Sequence, residues 1–189
     1  MNWDAIGAIG EWAGAIAVVV TLFYLALQMR QSQEMERAVA QRDLLLRVSE
    51  WTRMVNDERD GTYDRFVMGL REYETADALT QMHIDKHLSE FVFVAEAALN
   101  MRKDGFFSDG TWGGIEGGVL ALLRTPGGQQ WWAYSQHWIG SEIVKHLNMR
   151  LPQIDPHTPS FLDFTPASRN RLKELDAQAK GPAAHPPRE

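Results

Sequence analysis

The sequence predicts an all-α protein, with an N-terminal transmembrane helix continuing into a cytoplasmic helical bundle and a proline-rich C-terminal tail. Three observations predict it. The eighteen residues between Glu11 and Arg30, WAGAIAVVVTLFYLALQM, carry no charge; as a helix they span about 27 Å, close to the hydrocarbon thickness of a bilayer. Downstream, apolar residues recur every three or four positions, and no stretch alternates with period two for long. Seven of the eight prolines fall between 152 and 189. The expected organisation is an anchor over 1–29, a helical domain over 30–151 and a proline-rich tail over 152–189.

The trailing flank of the apolar run contains Arg30, Arg37, Arg42 and Arg47, and no Lys or Arg precedes it. By the positive-inside rule this places the N-terminus outside and the large domain in the cytoplasm. A signal peptide would carry its cations ahead of the apolar core, whereas here Asp4 and Glu11 precede it; a retained anchor is the expectation. Trp3 or Trp12 and Tyr24 are placed for the two interfaces. Gly7, Gly10, Gly14, Ala17 and Thr21 recur at steps of three or four, and such small residues let helix backbones approach closely in lipid. Asp4 and Glu11 share the glycine stripe, and an acid at membrane depth tends to face a partner or water. Homo-oligomerisation through this stripe is expected, with Glu11 near the outer boundary.

Residues 28–57 contain no Pro or Gly, and Leu44, Leu45, Val48, Trp51 and Val55 fall at helical spacing. The long helix they predict breaks at Asp60-Gly61. A helix over 62–74 follows, with Tyr63, Phe66, Val67, Leu70 and Tyr73 as its apolar face. The next runs from about Ala76 to Lys103 and ends at Asp104-Gly105; it absorbs Phe91-Val92-Phe93-Val94, the best strand candidate. A helix over about 111–124 precedes a stop and restart at Arg124-Thr125-Pro126-Gly127. Helices through Trp131, Trp132 and Trp138 and from Ser141 to about Arg150 complete the domain. In the tail, a short helix is expected from Pro166, capped by Thr165, to about Lys180, and the end, GPAAHPPRE, is expected to be disordered.

Composition narrows the function classes. With 25 acidic and 19 basic residues, a net charge of −6 and no basic cluster, the chain lacks the footprint of a nucleic-acid binder. With no cysteine, it has no disulfide, thiolate metal site or cysteine nucleophile. His83, His87 and Glu90 fall at i, i+4 and i+7, a spacing that can hold zinc or a similar divalent ion. The glutamate of H-E-x-x-H is missing between the histidines, so the pattern fits a polar helix edge beside an apolar face better than a metal site. His137, Glu142 and His146 share no clean face. Gly113-Gly114-Ile115-Glu116-Gly117-Gly118 has neither the preceding strand nor the Lys-Ser/Thr of a phosphate loop, and its glycines read as close-packing positions on a helix. Trp131, Trp132 and Trp138 read as core area whose indole N–H groups find backbone partners.

Three stretches carry a family likeness. NWDAIGAIGEWAGAIAVVVTLFYLALQMRQ, EAALNMRKDGFF from Glu96 to Phe107, and LLRTPGGQQWW from Leu122 to Trp132 together resemble an uncharacterised family of small bacterial single-pass membrane proteins. Their shared features are an I-G-A-I-G-E lead into the apolar helix and an L-L-x-x-P-G-x-x-x-W-W box. The resemblance spans about 150 residues. It implies a single-pass membrane protein with a helical cytoplasmic domain, for which the inner membrane is the expected location, and it implies no activity and no catalytic residue. The proline-rich tail departs from the family's pattern, in which the domain closes with a helix.

The expected function is therefore that of a non-enzymatic membrane-anchored assembly or scaffold protein, needing no cofactor, with the bilayer and copies of itself as partners. The alternatives are a membrane-tethered metal- or ligand-binding module or enzyme using His83, His87 and Glu90, and an oligomeric pore lined by Asp4, Glu11 and Thr21.

Overall fold

The computed structural model describes residues 3–57, 61–106, 108–164 and 166–179. Its regular structure is helical throughout: α1 (Trp3–Val55), α2 (Thr62–Arg71), α3 (Ala78–Lys103), α4 (Asp109–Leu123), α5 (Pro126–Ser135), α6 (Ser141–Arg150), a 3-10 turn (Leu151–Gln153), α7 (Phe161–Phe164) and α8 (Pro166–Ala179). The expected capping residue Thr165 and the tail GPAAHPPRE lie outside the described residues. The chain divides into two compact units, one ending at Asp43 and the other beginning at Leu44.

The first unit is a single helix, long and apolar enough to cross a membrane. Eleven large apolar side chains between Trp12 and Met29 are each at least 47% exposed. Two polar side chains of the apolar run bond within the helix: Thr21 Oγ1 donates to Ala17 O at 2.8 Å and Gln28 Nε2 to Tyr24 Oη at 2.9 Å. Charged i, i+4 pairing begins only past the apolar run, with Arg30 and Glu34 3.4 Å apart.

In the second unit, Trp51 on the last turns of α1 is buried, stacks on Phe91 with ring centroids 4.3 Å apart, and meets Phe66 edge-on. Its Nε1 donates to His87 O at 2.7 Å. One indole thus joins α1, α2 and α3, filling apolar space with its body while its N–H is paired. Helix ends follow local chemistry. Asp77 caps α3 by accepting from Leu79 N and Thr80 N, and Ser108 caps α4 by accepting from Thr111 N. Gly105, at φ +74°, turns the chain after α3 in a left-handed conformation that favours glycine.

The T-P-G-G stretch builds the crossing of α5 over α2. Thr125 Oγ1 accepts from Gly128 N at 3.0 Å and donates to Leu122 O at 2.7 Å, while Pro126 opens the helix where no N–H is required. A methyl at Gly127 would fall 1.9 Å from Gly69 O and one at Gly128 2.2 Å from Leu122 O. Backbone touches backbone here. Gln130 Oε1 then accepts from Tyr73 N and Glu74 N, and Gln81 Nε2 donates to Tyr73 O and Glu74 O, strapping the α2–α3 loop from both sides.

The helix expected to run out of the anchor from residue 28 does so without a break, as α1. Several other expectations are corrected. The helix after Gly61 ends at Arg71, short of 74, and α5 ends at Ser135, so Trp138 lies in the following turn and is 55% exposed. Of the glycines around Glu116, only Gly118 packs, against Phe91; a methyl at Gly113, Gly114 or Gly117 meets nothing within 4 Å. Part of the proline-rich tail is built into the second unit, where Leu162 and Ser168 are buried.

The glycine contacts set two opposite outcomes. Gly127→Ala forces methyl against backbone and is expected to cost about 1–3 kcal/mol. Gly113→Ala, on an open helical face, is expected to gain up to about 1 kcal/mol. Denaturant unfolding of the full chain in detergent, followed by tryptophan fluorescence, measures both.

Candidate functional site

The small-residue stripe lies on the first unit. Methyls at Gly7, Gly10 and Gly14 meet nothing within 4 Å, and Ala17, Thr21 and Glu11 are exposed. Among the described residues, none lies against the three glycines. The side chain of Asp4, the other residue expected at a pore, lies outside the described residues.

His83 and His87 are neighbours on α3, their ring centroids 5.9 Å apart, and His87 is buried beneath the edge of Phe66. Glu90 belongs to a different environment, lining a groove with Leu44, Arg47 and Glu50. Among the described residues no three His, Asp or Glu side chains group as a metal site requires. The Nδ1 atoms of both histidines are buried and find no hydrogen-bond partner. An imidazole that ligates through Nε2 keeps its proton on Nδ1 and normally donates it to an acceptor; neither ring has one. Their buried surroundings instead favour neutral imidazole. Burial, reinforced by the charge of Lys86, lowers His87 to about 4, and burial with Arg65 and Lys86 also lowers His83.

His137, Glu142 and His146 are separated, as their lack of a common face predicts. Glu142 pairs with Lys103 at 2.8 Å. His146 Nε2 instead lies 2.6 Å from Glu116 Oε1, which also accepts from Arg150 Nε at 2.9 Å. Burial alone raises the proton affinity of Glu116, but the hydrogen bonds from Arg150 and His146 outweigh it and hold the carboxyl below its ordinary range. Trp112 closes the cluster edge-on to His146 at 5.3 Å. This network ties α6 to α4. Its signal in the sequence is Glu116 as the only acid between Asp109 and Glu142, on an apolar helix, with His146 and Arg150 one turn apart elsewhere.

A cleft of about 540 Å3 lies between α2 and α8, lined by Tyr63, Asp64, Asn170 and Arg171. Arg171 grips both oxygens of Asp64 at 2.7 Å and Glu174 at 2.8 Å, so its charge is already matched. The hydrogen bond from Arg171 lowers the Asp64 carboxyl. Arg71 pairs with Asp176, and Tyr63 Oη is 2.9 Å from Ser168 Oγ. Of the three tryptophans read as core, Trp131 and Trp132 are buried, donating to Asp85 Oδ1 and Asn148 Oδ1. Their partners are side chains rather than the expected backbone groups.

Buried His87 predicts a pH response whose sign is fixed. The unfolded imidazole takes up a proton near 6.5 and the folded one only near 4, so stability is full above the first value and declines as pH falls to the second. The loss is on the order of 3 kcal/mol. Glu116 and Asp64, with lowered carboxyls, add their losses at lower pH, below their ordinary values of 4.5 and 3.8. Unfolding free energies at pH 7 and pH 4.5 are expected to differ less in His87→Leu than in the parent chain.

No family model, curated protein or solved structure matches the chain, so its function is argued from the geometry of its own residues.

Proposed function

We propose that this protein is a non-enzymatic, single-pass membrane anchor for a helical assembly domain, and that its copies associate through Gly7, Gly10, Gly14, Ala17 and Thr21. The observation that carries the reading is the uncovered run from Trp12 to Met29. In water such a surface is an aggregation liability; in a bilayer it is solvated by lipid, and the internal bonds of Thr21 and Gln28 meet the requirement that polar groups be satisfied locally. The open glycine face supports association, since in lipid close backbone packing replaces the hydrophobic drive. Arg30, Arg37, Arg42 and Arg47 support a cytoplasmic second unit. Within that unit, Glu116, Asp64 and Asp85 are engaged in holding helices together, which suits a rigid scaffold.

Purified from membranes, the protein is expected to retain its first thirty residues by intact mass and to stay in the pellet after alkaline carbonate extraction. Chemical cross-linking in vesicles is expected to give an oligomer ladder that Gly10→Ile with Gly14→Ile reduces. A ladder unchanged in that double variant removes the stripe from the reading, and a soluble, processed chain removes the anchor.

A further inference from the structure

A groove of about 580 Å3 runs between α3 and the last turns of α1, wholly within the second unit. Its floor is apolar, formed by Leu44 and Val94. At one end Phe93 is 47% exposed and meets Trp138, 55% exposed, edge-on with centroids 5.9 Å apart. Exposed aromatic pairs over an apolar floor are the material of protein interfaces.

The border identifies the occupant. Arg47 and Glu50 come from α1, Lys86 and Glu90 from α3, and among the described residues none of the four has an ion-pair partner. Three other cations of this unit do pair within the chain: Arg102 with Asp109, Lys103 with Glu142 and Arg171 with Asp64. Two cations and two carboxylates sum to zero, which offers an anionic lipid surface or a nucleic acid no attraction. A two-fold related copy of the same groove does complement it, because such apposition sets the cations of one against the carboxylates of the other.

We propose that this groove is a homotypic docking surface that seats the same groove of a second copy, burying Phe93 and Trp138 at a two-fold interface. The inference rests on the membrane-anchored reading for its local concentration: copies confined to one membrane meet at a high effective concentration, so a modest interface suffices.

The chain has no cysteine, which makes single-cysteine reporters clean. In the full chain in lipid vesicles, Ser89→Cys and Ala97→Cys bracket the groove over two turns, Lys173→Cys on α8 is the control, and Gly14→Cys reports the helix stripe. Copper–phenanthroline oxidation is expected to link at least one groove cysteine into dimers, well above the control. Arg47→Glu with Lys86→Glu makes the border all acidic, and Glu50→Lys with Glu90→Lys makes it all basic. Each is expected to lower groove cross-linking about tenfold or more on its own, and mixing the two is expected to restore it as heterodimer. Circular dichroism melts verify that each variant is folded. Groove cross-linking no greater than the control, or indifferent to charge reversal, overturns the proposal. If Gly14→Cys still cross-links in that case, the membrane-assembly reading survives without it; if only the groove cross-links, the stripe reading falls and the groove stands.

Discussion

An apolar helical surface left uncovered among the described residues constrains every other feature of this protein. From Trp12 to Met29 the side chains that a globular fold would bury are exposed, and each forgoes about 1.5–3 kcal/mol of burial in water. Eleven of them amount to a deficit on the order of 20 kcal/mol, larger than the whole stability of a typical domain. In water such a surface is an aggregation liability; in the proposed membrane-anchored reading lipid solvates it, and the second unit then has to be stable by itself.

It is built for that. Trp51 recruits the last turns of α1 into the core by touching Phe66 and Phe91 and by bonding to the His87 carbonyl. The α2–α5 crossing removes the side chain at Gly127, so that backbones meet directly, while Gly69 leaves room for Ile84 and Thr80 of α3. Buried or half-buried charge is neutralised in place: Glu116 by His146 and Arg150, Asp64 by Arg171. Removing one member of such a group leaves its partner uncompensated, so these residues define the packing of α6 on α4 and of α8 on α2. The two histidines of α3 are kept neutral by burial and by the neighbouring cations, with no acceptor for Nδ1.

Much of this was legible in the sequence, and the gaps have physical causes. A charge-free run of bilayer length is a one-dimensional property, so the candidate span could be read directly. The stop and restart at Thr125-Pro126 and the break at Asp104-Gly105 were legible because capping and left-handed turns are local chemistry. Trp138 was misplaced because its spacing from Trp131 matches one helical face, while the turn after Ser135 depends on how α5 and α6 pack. The glycines near Glu116 were read as packing positions, yet only Gly118 has a neighbour, since composition cannot say which face of a helix is covered. The Glu116–His146–Arg150 network joins residues 30 and 34 positions apart; the lone acid on an apolar helix is a signal, but no local pattern names its partners. His83 and His87 share a face as their spacing requires; Glu90 points into the α1–α3 groove with different neighbours.

The central claim is that residues 12–29 lie in a bilayer, and spin labels placed one at a time from Gly10 to Glu34 in this cysteine-free chain test it most directly. In lipid vesicles, accessibility to oxygen should rise to a maximum near Val20, while accessibility to a water-soluble nickel complex should be minimal there and recover past Arg30. Labels across the run that are reached by the nickel complex throughout, or shielded from oxygen and nickel alike, would contradict the account.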